Sequence, residues 1–148
     1  MQSVTPILEI AEMVGEFGGE TLHICMQCGT CTGVCPWNLV TPYSPRSIIR
    51  QLSLGMEGYE DEAVWKCVTC NTCVTRCPRK VEIVDVIRGA RAVMNESGSV
   101  PASYKGALAS LRSDGNPWSG DASLRAEFAK EIELPELTDE HEYLYFSC

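Results

Sequence analysis

The sequence predicts an all-α fold, because apolar residues recur at steps of three and four in several segments of its 148 residues. Two of these segments follow a threonine–proline or serine–proline pair, which is a common helix start, and each is closed by glycine. Outside Tyr143–Ser147, no run of four or more residues alternates between apolar and polar as a half-buried strand does. We therefore expect helices throughout and a short strand-like tail.

The first predicted helix begins at Thr5–Pro6, with the threonine as N-cap and the proline at the first helical position. Its apolar stripe continues to Phe17, and Gly18 and Gly19 end the pattern. The stripe consists of five residues: Ile7, Ile10, Ala11, Val14 and Phe17.

The second predicted helix begins at Ser44–Pro45 and ends before Gly55. The third runs from Ile83 to Met94 along a long apolar stripe and is closed by Gly98 and Pro101. Two further helices are predicted at Ala102–Arg112 and Ala122–Ile132, separated by glycine, asparagine and proline turn signals.

Eight of the nine cysteines form two runs of identical spacing, CMQCGTCTGVCP (Cys25–Pro36) and CVTCNTCVTRCP (Cys67–Pro78). Each cysteine of the first run has a counterpart 42 positions later, and a proline follows the fourth cysteine of both. This is the spacing of the bacterial 4Fe-4S ligand run, in which the fourth cysteine ligates the other cluster. The sequence therefore predicts two 4Fe-4S clusters.

The ligand set of each cluster follows from which cluster each cysteine can reach, given its position in the chain. Three cysteines at steps of three can surround one cluster from a loop that leads into a helix, whereas the fourth lies too far round and reaches the neighbouring cluster. The first cluster is then held by Cys25, Cys28, Cys31 and Cys77. The second cluster is held by Cys67, Cys70, Cys73 and Cys35.

Zinc and disulfides are the alternatives for so many cysteines. Structural zinc takes four ligands, normally as two pairs, so two runs of four would leave surplus thiols. Disulfides need an oxidising compartment and would leave one of nine cysteines unpaired.

The first residues, MQSVTPILEIAEMVGEF, lack a basic region and carry three glutamates among the apolar residues, so we expect no signal peptide. We also expect no direct membrane insertion and a cytoplasmic location, with a membrane-associated complex as a second setting.

The net charge of −8 is unevenly distributed, since six acidic residues and no lysine or arginine lie in Glu131–Glu142. The rest of the chain is nearly neutral and has no basic field for nucleic acid.

The sequence also lacks a nucleophile–base motif, a phosphate loop and a dinucleotide fingerprint, which disfavours an enzyme that works alone. Near the second run, Arg76, Arg79 and Lys80 are interpreted either as surface charge or as positive groups for an acidic partner.

The stretch GYEDEAVWKCVTCNTCVTRCPRKVEIVDVIRGAR (Gly58–Arg91) resembles the C subunit of heterodisulfide reductase and the N-terminal ferredoxin half of the D subunit. The matching features are Trp65 two positions before Cys67, arginine before Cys77, and the helix start at Val81–Arg88. The resemblance covers residues 24–117. It implies an α-helical ferredoxin with two 4Fe-4S clusters and crossed fourth cysteines.

The resemblance also suggests a division of the chain. We predict a two-cluster ferredoxin domain over residues 1–117 and a helix with an acidic linker over 118–142. Residues 143–148 would be the strand-like start of a cysteine-rich domain, either missing or in a partner. The cysteine-rich catalytic motifs of that family are absent from this sequence.

The predicted function is electron transfer, in single electrons, through two 4Fe-4S clusters. The implied partners are a flavin- or cluster-bearing donor subunit and a cysteine-rich, heterodisulfide-reductase-like acceptor subunit or domain. The alternative is the N-terminal part of a catalytic oxidoreductase, similar to the D subunit of heterodisulfide reductase, whose active domain lies beyond residue 148. A third interpretation is a protein whose clusters serve folding alone.

Overall fold

The fold is known from a computed structural model, which describes residues 6–56, 58, 62–121, 123–124, 127 and 138–143. These residues form helices and connecting turns without a β-strand, so the all-α prediction is confirmed for the described part of the chain. The helices are α1 Glu9–Val14, α2 Thr30–Gly33, α3 Pro45–Ser53, α4 Thr72–Thr75, α5 Ile83–Glu96 and α6 Ala102–Asp114. The chain divides into two compact units, residues 1–100 and residues 101–148.

The first helix begins at Glu9 and not at the predicted Pro6. The backbone N–H of Ile7 donates to the carbonyl oxygen of Gly55 at 2.8 Å, which ties the incoming chain to the turn after α3. Beyond Val14 the helix widens over Gly15–Gly19, where Gly18 has a φ of 96°. The predicted cap Thr5 lies outside the described residues.

The second predicted helix is confirmed as α3. The Ser44 hydroxyl accepts a hydrogen bond from the Ser47 backbone N–H at 3.2 Å, and Pro45 occupies the first helical position. This cap satisfies one of the N–H groups that a helix start leaves free, so α3 has a defined beginning. Three short 3₁₀ helices complete the first unit, at Glu20–Ile24, Pro36–Leu39 and Glu62–Val64.

Helix α5 is the centre of the first unit and packs against α1, α3 and Gly15–Gly19. Eight of its residues are buried: Ile83, Val84, Val86, Ile87, Gly89, Ala90, Val93 and Met94. Burying one large apolar side chain of this kind contributes about 1.5–3 kcal/mol. The stripe identified in the sequence is therefore the principal apolar surface of the first unit, and its first residue, Ile83, lines the sites of both cysteine runs.

A glycine in α5 allows the first helix to approach closely. A Cβ built on Gly89 would lie 2.7 Å from the carbonyl oxygen of Val14, and one built on Gly19 would lie 2.7 Å from the same oxygen. Real Cβ atoms essentially never come this close to another heavy atom, and the opposing oxygen is part of a backbone that cannot swing away. The contact between α5 and the end of α1 therefore requires Gly89, whereas Gly19 lets the chain after α1 pass close to Val14 and to the Val86 backbone, whose Cα would lie 3.2 Å from a Cβ built on Gly19.

We expect Gly89→Ala to destabilise the protein by about 1–3 kcal/mol, the usual cost of overpacking a close-packed interior. Gly106→Ala in α6 is the matched control, because a Cβ there meets no described atom within 4 Å outside its own helix. That change should be neutral or stabilising by up to about 1 kcal/mol, since alanine is the better helix former. Thermal unfolding of both variants measures the difference, and equal midpoints would contradict the close-contact argument.

In the second unit, α6 confirms the helix predicted at Ala102–Arg112 and continues to Asp114. It ends at Gly115, whose φ is 69°, and the Asn116 side chain then closes a turn by bonding to the backbone of Trp118 and Gly120. The helix predicted at Ala122–Ile132 and the strand-like tail fall mostly outside the described residues, and the predicted domain boundaries stay predictions. In the described part of the chain, no helix is long and apolar enough to cross a membrane.

Candidate metal centre

The two cysteine runs repeat in structure as they do in sequence. Gln27 and Gly29 in the first run, and Thr69 and Asn71 in the second, all have positive φ values of 53–83° at equivalent positions. Residues with this left-handed backbone turn the chain sharply, and only glycine adopts it without cost. Each run therefore turns sharply, and a short helix, α2 in the first run and α4 in the second, continues the chain.

The first cavity is lined by three cysteines of the first run and one of the second. Those cysteines are Cys25, Cys28, Cys31 and Cys77. The backbone N–H of Val81 donates to the Cys77 sulfur at 3.3 Å, which fixes the position of the crossing cysteine.

The second cavity mirrors the first. Its cysteines are Cys67, Cys70 and Cys73 from the second run and Cys35 from the first. The structure therefore groups the eight thiols in the two sets that the spacing predicts. That these thiols ligate iron stays a prediction, which we take up below.

The two cavities are neighbours that share a wall. Ile83, the first residue of α5, lines both of them. Cys31 and Cys73 are both buried, and the charge of one would act on the other. Burial raises the pKa of the Cys31 thiol, and it raises the pKa of Cys73 to about 11. A cation bound between these thiols would offset that cost of forming buried thiolates.

In each run, a threonine two positions after the second cysteine lies within hydrogen-bonding distance of that cysteine's sulfur. The Thr30 hydroxyl lies 3.3 Å from the Cys28 sulfur, and the Thr72 hydroxyl lies 3.5 Å from the Cys70 sulfur. These hydrogen bonds hold the pKa of both thiols below the usual value. Cys28 and Cys70 are therefore more readily deprotonated than the buried Cys31 and Cys73.

The surroundings of the two cavities differ in charge. Arg46 and Arg79 line the first cavity, whereas the described residues that line the second carry no charged side chain other than its thiols. In the sequence, Arg79 stands beside the second run. The structure brings it to the first cavity because Cys77, two positions earlier, crosses to that side.

Each cavity is lined by a residue with a buried polar side-chain atom that makes no hydrogen bond to the described residues. The Tyr43 hydroxyl lines the second cavity, and burial is the main reason why its pKa is raised. The Gln27 side-chain oxygen belongs to a residue that lines the first cavity, where its amide nitrogen donates to the Cys25 sulfur at 3.4 Å. A hydroxyl that keeps its proton can donate to a sulfur of an iron–sulfur group, so Tyr43 and the thiols fit such a group.

Arg91 of α5 holds the chain that enters the second run, and sequence reasoning missed it. Its guanidinium donates to the carbonyl oxygens of Val64 at 2.9 and 3.1 Å, of Trp65 at 3.3 Å and of Cys67 at 2.6 Å. It also lies over the Trp65 ring, 5.5 Å from the centroid. The only sequence signal was a charged residue inside the apolar stripe of a long helix.

Trp37 secures the same segment from the first run. Its indole N–H donates to the carbonyl oxygen of Lys66, and its side chain lines the second cavity. Asn38 next to it donates to the Thr32 carbonyl oxygen at 2.7 Å and accepts from the Tyr43 backbone N–H at 2.9 Å. These bonds hold Cys35 and Tyr43 beside the second run.

The described cysteines are all free thiols. In the described ranges, no three cysteine, histidine or acidic side chains converge closely enough to hold a single metal ion. The four thiols of each cavity surround a space instead, and a four-iron group takes one thiolate on each iron.

Residues 21–81 match the family model described as a 4Fe-4S dicluster domain, which spans both cysteine runs. This match confirms the prediction of 4Fe-4S clusters as cofactors, and two clusters fit a dicluster domain. The eight thiols line two cavities, four in each, as expected for a domain that holds two 4Fe-4S clusters.

The chain is similar to subunits of named reductases. It is 46% identical over 99 residues to the C subunit of the H(2):CoB-CoM heterodisulfide,ferredoxin reductase of Methanothermobacter thermautotrophicus, covering 66% of this chain and 54% of that protein. It is 40% identical over 104 residues to the C2 subunit of the H(2)/formate:CoB-CoM heterodisulfide,ferredoxin reductase of Methanococcus maripaludis, covering 69% of this chain and 56% of that protein. A more distant relative, 26% identical over 152 residues, is a probable membrane-anchored ferredoxin of Chromohalobacter salexigens, covering 78% of this chain and 23% of that protein.

These matches confirm the resemblance to the C subunit of heterodisulfide reductase. The chain spans about half the length of the two reductase subunits that it matches.

Proposed function

We propose that this chain, which contains a 4Fe-4S dicluster domain over residues 21–81, passes single electrons between two partner subunits. The observation that carries the proposal is the pair of adjoining four-thiol cavities that share Ile83. One such site would suffice to stabilise a fold, whereas two neighbouring sites provide a path between two faces of the protein. We therefore favour conduction over a purely structural role.

The residues that would hold the clusters are the eight cysteines, in the two sets that line the cavities. A bound 4Fe-4S cluster supplies reversible one-electron chemistry. The chain itself contributes thiols held by backbone and hydroxyl hydrogen bonds, a lining at the second cavity without charged side chains besides its thiols, and two arginines at the first. Because hydrogen bonds, charge and burial set cluster potentials, the two sites are built to differ in potential.

The partners we propose follow from the chain's relatives. Two of these are named as the C and C2 subunits of CoB-CoM heterodisulfide,ferredoxin reductases. By analogy, a flavin- or cluster-bearing subunit would donate electrons to this chain, and a cysteine-rich heterodisulfide-reductase-like subunit or domain would accept them. We place this exchange in the cytoplasm, within a complex that is either free or attached to a membrane.

A reductive titration tests the proposal. The anaerobically loaded full chain should take up about two electrons, one for each cluster, and return them to a one-electron oxidant. Absorbance bleaching measured against added dithionite gives the count. Cys70→Ser should remove about one electron of uptake, while Ser110→Ala in the second unit serves as a control that removes none. Uptake of no electrons by a chain that holds iron would refute electron transfer.

A further inference from the structure

We infer that Arg46, Arg50 and Arg79 form a docking face for an acidic redox partner beside the first cavity. The inference rests on the proposed function, because it names the kind of partner and the cluster site that the partner meets. It begins from a third cavity, which is open to solvent and is lined by polar and charged residues and one glycine. Arg46 and Arg50 line it together with hydroxyl side chains of Thr32, Ser44 and Ser47.

The third cavity adjoins the first. Gln27, Gly29 and Arg46 line both of them, so the space where an anion would sit lies next to the space that Cys25, Cys28, Cys31 and Cys77 surround. The Arg46 guanidinium would lie 3.6 Å from a Cβ built on Gly29, and its charge acts on the Cys28 thiol. A carboxylate bound here would therefore bring its protein up against the first cluster site.

The arginines of this face carry charge that no acidic side chain in the described part of the chain neutralises. Arg46 and Arg50 are exposed and one turn apart on α3, on the same side of the helix. Within the described ranges, neither guanidinium makes a hydrogen bond or an ion pair with a carboxylate, and no acidic residue lines the first or the third cavity. By contrast, exposed Arg88 on α5 pairs with Asp85 at 3.3 Å.

The positive charge of this face contrasts with the net negative charge of the whole chain. The chain has a net charge of −8, and its residues outside Glu131–Glu142 are nearly neutral, so an acidic molecule finds little attraction elsewhere on the protein. A concentrated positive face would admit an acidic partner at one place and orient it, since guanidinium groups bind carboxylates in a planar, paired geometry. The second cavity, whose described lining has no charged side chain besides its thiols, would then face a different partner.

The test uses the full chain loaded with its clusters, together with two probes. A fluorescein-labelled peptide of about eight glutamates reports carboxylate binding by fluorescence anisotropy at low ionic strength. Ferricyanide, an anionic one-electron oxidant, reports access to the reduced clusters by stopped-flow absorbance. The test variant is Arg46→Gln with Arg50→Gln. The control is Arg88→Gln with Arg112→Gln, which removes the same charge from residues that line none of the three cavities.

The test variant should weaken peptide binding about tenfold or more and slow ferricyanide oxidation by a similar factor. The control should change either value less than about twofold, and high salt should abolish the difference. If the test variant holds less iron than the wild type, Arg50→Gln alone replaces it, because Arg50 does not line the first cavity.

Equal effects in both double variants, or no effect in either, would overturn the docking face. Loss of peptide binding without slower oxidation would also overturn it, because the face would then not lead to a cluster. Binding of the peptide at this face by a chain that takes up no electrons would support acidic docking and refute the proposed function, so the two failures are distinguishable.

Discussion

Cys35→Ser is expected to remove iron from the second cavity, although Cys35 belongs to the first run. Its sulfur lines the cavity of Cys67, Cys70 and Cys73, and the charges of Cys67 and Cys70 act on it. With only three thiolates left, one iron of that cluster loses its ligand, so we expect the iron content to fall towards about half. Iron analysis and paramagnetic resonance of the reduced protein measure the result.

Cys77→Ser is the mirror-image control, since Cys77 lines the first cavity with Cys25, Cys28 and Cys31. It should remove the resonance signal that Cys35→Ser leaves intact. Cys28→Ser supplies the reference for the first cluster. If Cys35→Ser perturbs the same signal as Cys28→Ser, the crossing of the fourth cysteines is wrong.

Arg91→Met is expected to weaken the second site and the fold together. The methionine retains an apolar stem but leaves the carbonyl oxygens of Val64, Trp65 and Cys67 without their donor. These carbonyl oxygens are partly buried, and an unsatisfied acceptor costs about 1–3 kcal/mol where water cannot replace the donor, so we expect a total loss of about 1–3 kcal/mol. The thermal midpoint should fall, and the second cavity should lose iron before the first.

Arg91→Lys separates charge from geometry. Lysine keeps the positive charge but lacks the planar fork that reaches several carbonyl oxygens, so it should restore only part of the loss. Arg88→Met is the matched control on the same helix, because Arg88 is 70% exposed and, among the described residues, its side chain bonds to Asp85 alone. Exposed pairs of this kind contribute at most about 1 kcal/mol. Equal losses for Arg91→Met and Arg88→Met would show that the carbonyl contacts do not hold the segment.

The grouping of the thiols could be predicted from the sequence because the ligand spacing is dictated by the geometry of the group it serves. The positions of α3 and α5 could be predicted for a similar reason, since a proline start and an apolar stripe act over a few residues. The helix signals depend on local chain geometry. The thiol grouping depends on the ligand spacing, which is the same in both runs.

The role of Arg91 could not be predicted, because its partners lie 24–27 positions earlier in the chain. A helix residue reaches such partners only once tertiary packing has brought them together. The same holds for Arg79, whose place at the first cavity follows from the crossing of Cys77. The late start of α1 also depends on a distant contact, the bond from Ile7 to Gly55.

The difference in charge between the two cavities likewise emerged only from the structure. Arg46 lies on α3, between the two cysteine runs in sequence, and nothing in its sequence neighbourhood connects it with Cys28. Packing α3 beside the first run places its guanidinium at one site and leaves the other without charged side chains apart from thiols. Two runs of identical spacing therefore produce two unlike environments.

The most direct test of two four-iron clusters is the iron and acid-labile sulfide content of the anaerobically prepared full chain. Two four-iron clusters require about eight iron and about eight sulfide per chain. A content near four iron, or zinc in place of iron, would contradict the account.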